Sequence, residues 1–224
     1  MISVVVPVYN EETLLEGTLR RLQEEKGSFE VIVVDGGSDD RSVEIARPYG
    51  SVLMAEKGRA LQMNQGAREA KGEVLLFLHA DAWLEKGSLS AIEEVMSHPD
   101  MLGGCLTQKI ESPHPFYRFL EASGTFRARA FRLFYGDQGL FVRKAIFDKL
   151  GGYPLVPLFE DVAFSRRLKG EGKTVVLSKQ IFTSARRWEE KGKVGGSLRN
   201  LALLFLYGMG IAPERLARFY TDVR

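Results

Sequence analysis

The chain has 224 residues, 45% hydrophobic and 27% charged, close to globular averages and enough for one large domain or one domain plus an appendage. Its formal net charge is +2, with no long basic run, which gives no footing for a nucleic-acid partner. A single cysteine, Cys105, excludes an internal disulfide and suits a reducing compartment.

Met1 leads straight into a strand pattern, without the basic and apolar regions of a signal peptide. Val4 to Val8 is a continuous apolar run, as in a strand buried on both faces. It stops at Tyr9-Asn10-Glu11-Glu12, after which Leu14, Leu15, Leu19 and Leu22 fall on one helical stripe over Glu12 to Glu25. Val31 to Val34 repeats the pattern and stops at Asp35-Gly36-Gly37-Ser38. Ser38 is expected to cap the next helix, with Asp39 and Asp40 near its positive end. Ser51 to Ala55 reads as a third strand, Arg59 to Ala70 as a helix closed by Gly72, and Val74 to Leu78 as a strand ending in His79-Ala80-Asp81.

Ser88 to Met96 is predicted helical and Leu102 to Ile110 extended. Phe116 to Tyr135 holds seven aromatics and four arginines at helical spacing; it reads as core plus surface, with an acceptor platform as the other reading. A short strand follows at Leu140 to Arg143, then helices at Lys144 to Leu150 and Asp161 to Lys169, and a last strand at Lys173 to Ser178. From Val194 onward the pattern is helical only, with Pro213 suited to a first turn. The one boundary falls near Glu189 to Gly196, dividing 1–188 from a helical appendage at 189–224. The longest apolar stretch, Leu201 to Ala212, has about twelve residues against the ~20 needed to span a bilayer.

Alternating strands and helices imply a three-layer α/β fold, in which ligands bind at the carboxyl ends of parallel strands. Several site chemistries are excluded there. No G-x-G-x-x-G follows the first strand, no Walker A is present, and one cysteine with three scattered histidines gives no zinc site. What remains is carboxylates at strand ends or helix starts: Asp35, Asp81, Asp137, Glu160 and Asp161. Mg²⁺ or Mn²⁺ binds through one or two carboxylates plus phosphate oxygens, and Asp81, just past a buried strand, is placed for that. A turn residue or helix cap is the competing reading of Asp81, and an ordinary turn that of Asp35.

Six segments together resemble family 2 glycosyltransferases of the GT-A fold, which are nucleotide-diphospho-sugar transferases. They are Val6-Pro7-Val8-Tyr9-Asn10-Glu11, Val33-Val34-Asp35-Gly36-Gly37-Ser38-Asp39-Asp40, Gly58-Arg59-Ala60-Leu61-Gln62-Met63-Asn64, Leu76-Phe77-Leu78-His79-Ala80-Asp81, Gly136-Asp137-Gln138-Gly139, and Glu160-Asp161 with Arg166-Arg167-Leu168. They occur in family order from about Ser3 to Val176. Within the family the chain most resembles a small bacterial subgroup that also ends in a Thr-Ser-Ala-Arg-Arg-aromatic segment and a helical tail.

The resemblance implies a Rossmann-like three-layer sandwich with a central, mostly parallel mixed sheet. It also implies an inverting transfer from a UDP- or GDP-sugar to an acceptor hydroxyl. Pro7, Tyr9, Glu11, Asp35 and Arg59 would line the donor, Asp81 would match the last aspartate of the D-x-D metal motif, and Asp161 would be the base, with Glu160 beside it. Asp137, Gln138, Arg186, Arg187 and Trp188 would face the sugar or acceptor. His79 stands where the motif has its first aspartate; imidazole suits Mn²⁺ better than Mg²⁺, and a hydrogen-bonded strand-end residue is the other reading. The alternatives to transfer are a sugar-nucleotide nucleotidyltransferase and a non-catalytic nucleotide-sugar-binding module. The acceptor is left open among lipid-linked, glycan and small-molecule classes. The tail, 186–224, carries eight Lys/Arg against four Asp/Glu; it is expected to pack on the domain or form a homodimer, with peripheral contact to the inner face of the membrane as a further option. A cytoplasmic location is expected.

Overall fold

The structure, a computed structural model, describes residues 1–186 and 193–220. Strands β1 (Ile2–Val8), β2 (Phe29–Asp35), β3 (Ser51–Met54), β4 (Val74–Phe77), β5 (Ala82–Leu84), β6 (Met101–Glu111), β7 (Phe141–Arg143) and β8 (Lys173–Ser184) form one sheet in the order β3-β2-β1-β4-β7-β6-β8-β5. The first half is parallel: β1 pairs with β2 and β4, and β2 with β3. Direction reverses at β7, antiparallel to both β4 and β6; β6 and β8 are parallel, and β5 closes the edge antiparallel to β8.

Helices cover both faces. Val4, Val6 and Val8 pack with Leu15, Leu19 and Leu22 of α1 (Leu15–Gln23), Ala46 of α2 (Ser42–Ala46), and Leu89, Ile92 and Met96 of α4 (Ser88–Met96). Val5, Ile32 and Val34 face the other way, onto Ala60, Met63 and Ala67 of α3 (Arg59–Glu69). On that side too lie Ala128 of α5 (Pro115–Phe131), Phe147 of α6 (Lys144–Lys149), and Phe164 and Leu168 of α7 (Glu160–Glu171). Successive strand residues point to opposite faces, so burial on both sides explains why β1 has no polar alternation. Pro7 fits there because its side of β1 faces β4, whose last rung is Val5↔Phe77; beyond that rung no ladder bond is lost.

Most predicted elements are present, with three differences. Ser38 does not cap a helix: its hydroxyl donates to Asp35 and accepts from the Asn10 N–H at 2.9 Å. Helix α2 begins only at Ser42, whose N–H is held by Asp40 Oδ1 at 2.9 Å. Strand β5 was not predicted; three residues straight after a turn carry too short a pattern to read. Strand β8 runs to Ser184 rather than Ser178, because Lys179-Gln180 interrupt its apolar pattern while its ladder with β6 continues through Glu111↔Ser184.

The tail helices Lys193–Gly208 and Pro213–Ala217 pack on the domain. Leu203 and Leu216 bury against Leu158, and the Tyr207 ring stacks on Phe159 with centroids 5.0 Å apart. Leu201, Phe205, Met209 and Phe219 remain exposed. Among the described residues no helix is long and apolar enough to cross a membrane.

Helix α3 lies unusually close to the sheet. A Cβ at Gly66 would sit 2.4 Å from Val5 Cγ1 and 3.0 Å from Val34 Cγ2. Gly66→Ala therefore overpacks the interface and should cost about 1–3 kcal/mol. Urea unfolding should show a lower midpoint at unchanged slope; an unchanged midpoint would mean that α3 can shift outward freely.

Candidate active site

The carboxyl ends of β2, β1 and β4 open onto one edge of the sheet, and each continues into a polar loop. The first two loops are hydrogen-bonded to each other, through the Asn10 N–H on Ser38 and the Glu11 N–H on Ser42 among others, and one side chain ties their strand ends together from the helix side. Gln62 of α3 donates from Nε2 to both Val8 O (2.7 Å) and Val34 O (2.8 Å), taking carbonyls at the ends of β1 and β2. The β1 loop carries Tyr9, with the Lys57 ammonium 3.8 Å from its ring centroid, and Glu11, 1% exposed, whose carboxylate binds Arg186 at 2.9 Å. Asp35 ends β2, wholly buried. It takes the N–H groups of Gly37 and Ser38 at 2.8 Å each and the Ser38 hydroxyl, so its carboxylate is spent on shaping its own turn.

The β4 loop brings His79 and Asp81, both nearly buried, into a turn closed by the Ala82 N–H on His79 O at 3.1 Å. The 3₁₀ turn Gly136–Gln138 sits against this loop. A Cβ on Gly136 would lie 2.9 Å from His79 Nε2 and 3.6 Å from Asp161 Oδ2, so a side chain there would have to displace the imidazole. The Gly136 N–H donates to Asp161 Oδ2 at 2.7 Å. Asp137 accepts from Gln108 Nε2 at 2.7 Å, and Gln138 Oε1 from Arg127 at 2.7 Å.

Glu160 and Asp161 open α7, after Phe159 in the left-handed region (φ 64°). Glu160 is paired with Arg59, the first residue of α3, at 3.2 Å. Burial, and after it the adjacent Glu160 charge, pushes the Asp161 carboxyl up to about 6, against the pull of the Gly136 N–H and Arg59. Burial also raises the Tyr153 phenol well above its ordinary value, helped by the charges of Asp161 and Glu160.

The predicted residues Glu160 and Asp161 thus meet His79, Arg59 and the 136–138 turn, while Arg186 reaches Glu11 at the β1 end. Arg187 and Trp188 lie outside the described residues. Sequence reasoning missed Gln62, Lys57, Gln108 and Arg127 as builders of the site. Gln62 had a visible signal, a polar residue inside the otherwise buried Ala60-Met63-Ala67 stripe.

A divalent cation would find Asp81, with the His79 imidazole in the same turn. Among the described residues no cluster of three or more His, Cys, Asp or Glu could hold one. The donor set fits a metal that completes its shell with diphosphate oxygens and water, the usual arrangement for Mg²⁺ or Mn²⁺.

The family pattern described as Glycosyl transferase family 2 matches residues 3–151. The chain belongs to this family. Glycosyltransferase AglE of Haloferax volcanii is 28% identical over 183 residues, covering 68% of this chain and 56% of that protein. The undecaprenyl-phosphate 4-deoxy-4-formamido-L-arabinose transferase of Pseudomonas aeruginosa is 36% identical over 94 residues, 36% of this chain and 28% of that one. The matched part of the chain thus spans about half the length of the first of these relatives and about a quarter of the second. Among solved structures, the mannosyltransferase PcManGT from Pyrobaculum calidifontis in complex with GDP-Man and Mn²⁺ aligns with TM-score 0.72 at 18% identity, covering 100% of this chain and 65% of that one. S. aureus TarS 1–349 in complex with UDP-GlcNAc aligns with TM-score 0.61 at 20% identity, covering 82% and 58%. The fold is GT-A.

The raised Asp161 carboxyl has a stability consequence. An unfolded aspartate ionises near ~3.9, and Asp161 in the fold at about 6. As pH rises between those values the unfolded chain gives up its proton first, so stability is lost through that window and stays lost above it. Asp161→Asn cannot ionise. Its thermal midpoint should exceed the parent's at neutral pH, with the gain vanishing below about pH 4. A gain equal at both pH values would place the effect in packing instead.

Proposed function

We propose that the chain moves a sugar, with inversion, from a UDP- or GDP-sugar to an acceptor hydroxyl, and that Asp161 is the base. The observation that carries this reading is the Asp161 carboxylate itself. It is oriented by the Gly136 N–H at 2.7 Å, raised to about 6, and thus ionised yet basic at neutral pH.

In this reading the nucleoside lies over the β1 and β2 loops. Lys57 occupies one face of Tyr9, so the ring offers its other face to the base. Arg59, paired with Glu160 at the start of α3, lies on the diphosphate side, where a guanidinium suits phosphate oxygens. A cation held by Asp81 and the diphosphate would stabilise charge on the leaving group. Asp161 takes the proton of the acceptor hydroxyl as that oxygen attacks the anomeric carbon in line, on the face opposite the departing diphosphate. Glu160, its charge balanced by Arg59, orients the hydroxyl. Residues 1–188 form the catalytic domain in this reading, with 189–224 a packed appendage.

Asp161→Asn should lower transfer, or donor hydrolysis, by ~10²–10⁴-fold while calorimetric affinity for UDP or GDP is kept; normal turnover in this variant would dismiss Asp161 as the base. In the parent, kcat/KM should fall as pH drops through about 6. Mn²⁺ should tighten nucleoside diphosphate binding in the parent but not in Asp81→Asn, and equal tightening in both would remove Asp81 from the metal.

A further inference from the structure

A second concavity lies beside the 136–138 turn. Helix α5 stands off β6 and β8 over a groove of about 670 Å³, whose lining includes Gln108, Lys109, Arg118, Glu121, Phe126 and Arg129. Its inner end touches the proposed reaction centre, because Gln108 Nε2 holds Asp137 Oδ2 at 2.7 Å and the next residue, Gly136, holds Asp161.

The lining has a net sign. Three cations face one carboxylate, Glu121, which is nearly buried and already bound by the Ile110 N–H (2.7 Å), Arg118 (3.0 Å) and Lys109 (3.3 Å). Glu121 therefore offsets one charge and leaves positive charge in the groove. Phe126 makes one side of the lining apolar, and Phe119 lies beyond the lining on the same helix. Phe119 and Phe126, seven residues apart on α5 and so on one helical face, are 69% and 65% exposed. A solvent-facing stripe of that kind is unusual on a helix whose opposite face is already buried through Tyr117, Gly124 and Ala128.

We propose that this groove binds the acceptor, and that the acceptor is a single amphiphile carrying an anionic group on an apolar chain. The anion lies against Lys109 and Arg129, the chain runs out over Phe126 and Phe119, and the head reaches Gln108 and Asp137. The inference rests on the transferase reading for its inner end only; the groove's charge and apolar rim are independent of it.

Decyl phosphate, kept monomeric, is the probe, with decyl glucoside and inorganic phosphate as comparators, and calorimetry as the readout. The full chain should bind decyl phosphate at least about tenfold more tightly than either comparator, since both the charge and the chain contribute. Arg129→Glu, at an exposed position, and Lys109→Gln should each weaken that binding severalfold, and Phe126→Ser should weaken decyl phosphate but not inorganic phosphate. Equal affinity for decyl phosphate and decyl glucoside, or indifference to both charge variants, overturns the proposal. So does sedimentation with phosphatidylglycerol vesicles in the absence of decyl phosphate binding, which would make the face a membrane-docking surface instead. UDP and GDP affinities are measured on the same samples. If the parent binds neither nucleotide but the groove variants behave as stated, the transferase reading fails while the groove's ligand class stands.

Discussion

The constraint on which this molecule is built is the burial of carboxylates at one edge of its sheet. Glu11, Asp35, Asp81 and Glu160 are all nearly inaccessible, and an ionised carboxylate out of water is costly unless it is paired or hydrogen-bonded. Three of them are compensated in two ways. Asp35 folds its own loop around itself, consuming two backbone N–H groups and a hydroxyl. Glu11 takes a guanidinium from the far end of β8, and Glu160 one from the start of α3. Asp161 receives only backbone N–H groups, from Gly136 and Val162, and has Glu160 as its neighbour. Burial with that compensation raises the affinity of Asp161 for protons.

The same constraint determines what could be read beforehand. The strand ends were legible because both-face burial produces unbroken apolar runs that stop sharply, as at Val8 and Val34. The carboxylates following them were legible because polar residues there have few structural excuses. Illegible were the pairings that satisfy them. Arg186 meets Glu11 across 175 positions of sequence, and nothing local in either segment points to the other. Ser38 shows the opposite failure: its local pattern is that of a helix cap, yet the neighbouring buried carboxylate outcompetes the helix for its hydroxyl. The short β5 and the last half of β8 were missed because cross-strand pairing, not apolar period, sustains them.

Gln62 links these observations. The first two loops leave adjacent parallel strands, and the Val8 carbonyl already accepts the Gly36 N–H at 2.9 Å, so the Gln62 amide reinforces an existing link between them. That one amide on α3 takes the carbonyls of both Val8 and Val34, adding a tie from the helix side to the direct hydrogen bonds between the β1 and β2 loops. The same helix begins with Arg59 on Glu160, and carries Asn64, which donates to Tyr153 O and accepts from the Tyr153 N–H at 2.8 Å each. Helix α3 thus touches the β1 and β2 ends at one point and the α7 side of the site at two others. Its close seat on Val5 and Val34 follows from this: a helix that must reach both halves of the site cannot stand off from the sheet by the width of a side chain.

The turn at Gly136 makes a matching argument from the other side. His79 and Asp161 approach it from β4 and α7, and a side chain there would collide with the imidazole before it reached the carboxylate. Glycine serves close approach here, not an unusual backbone angle. The consequence is that the backbone N–H orienting Asp161 and the amide network running through Asp137 to Gln108 belong to one short, rigid turn. Whatever occupies the α5 groove therefore acts on the same three residues that position the carboxylate. Gln108, which lines that groove, is thus separated by a single hydrogen bond from the turn whose Gly136 N–H orients Asp161.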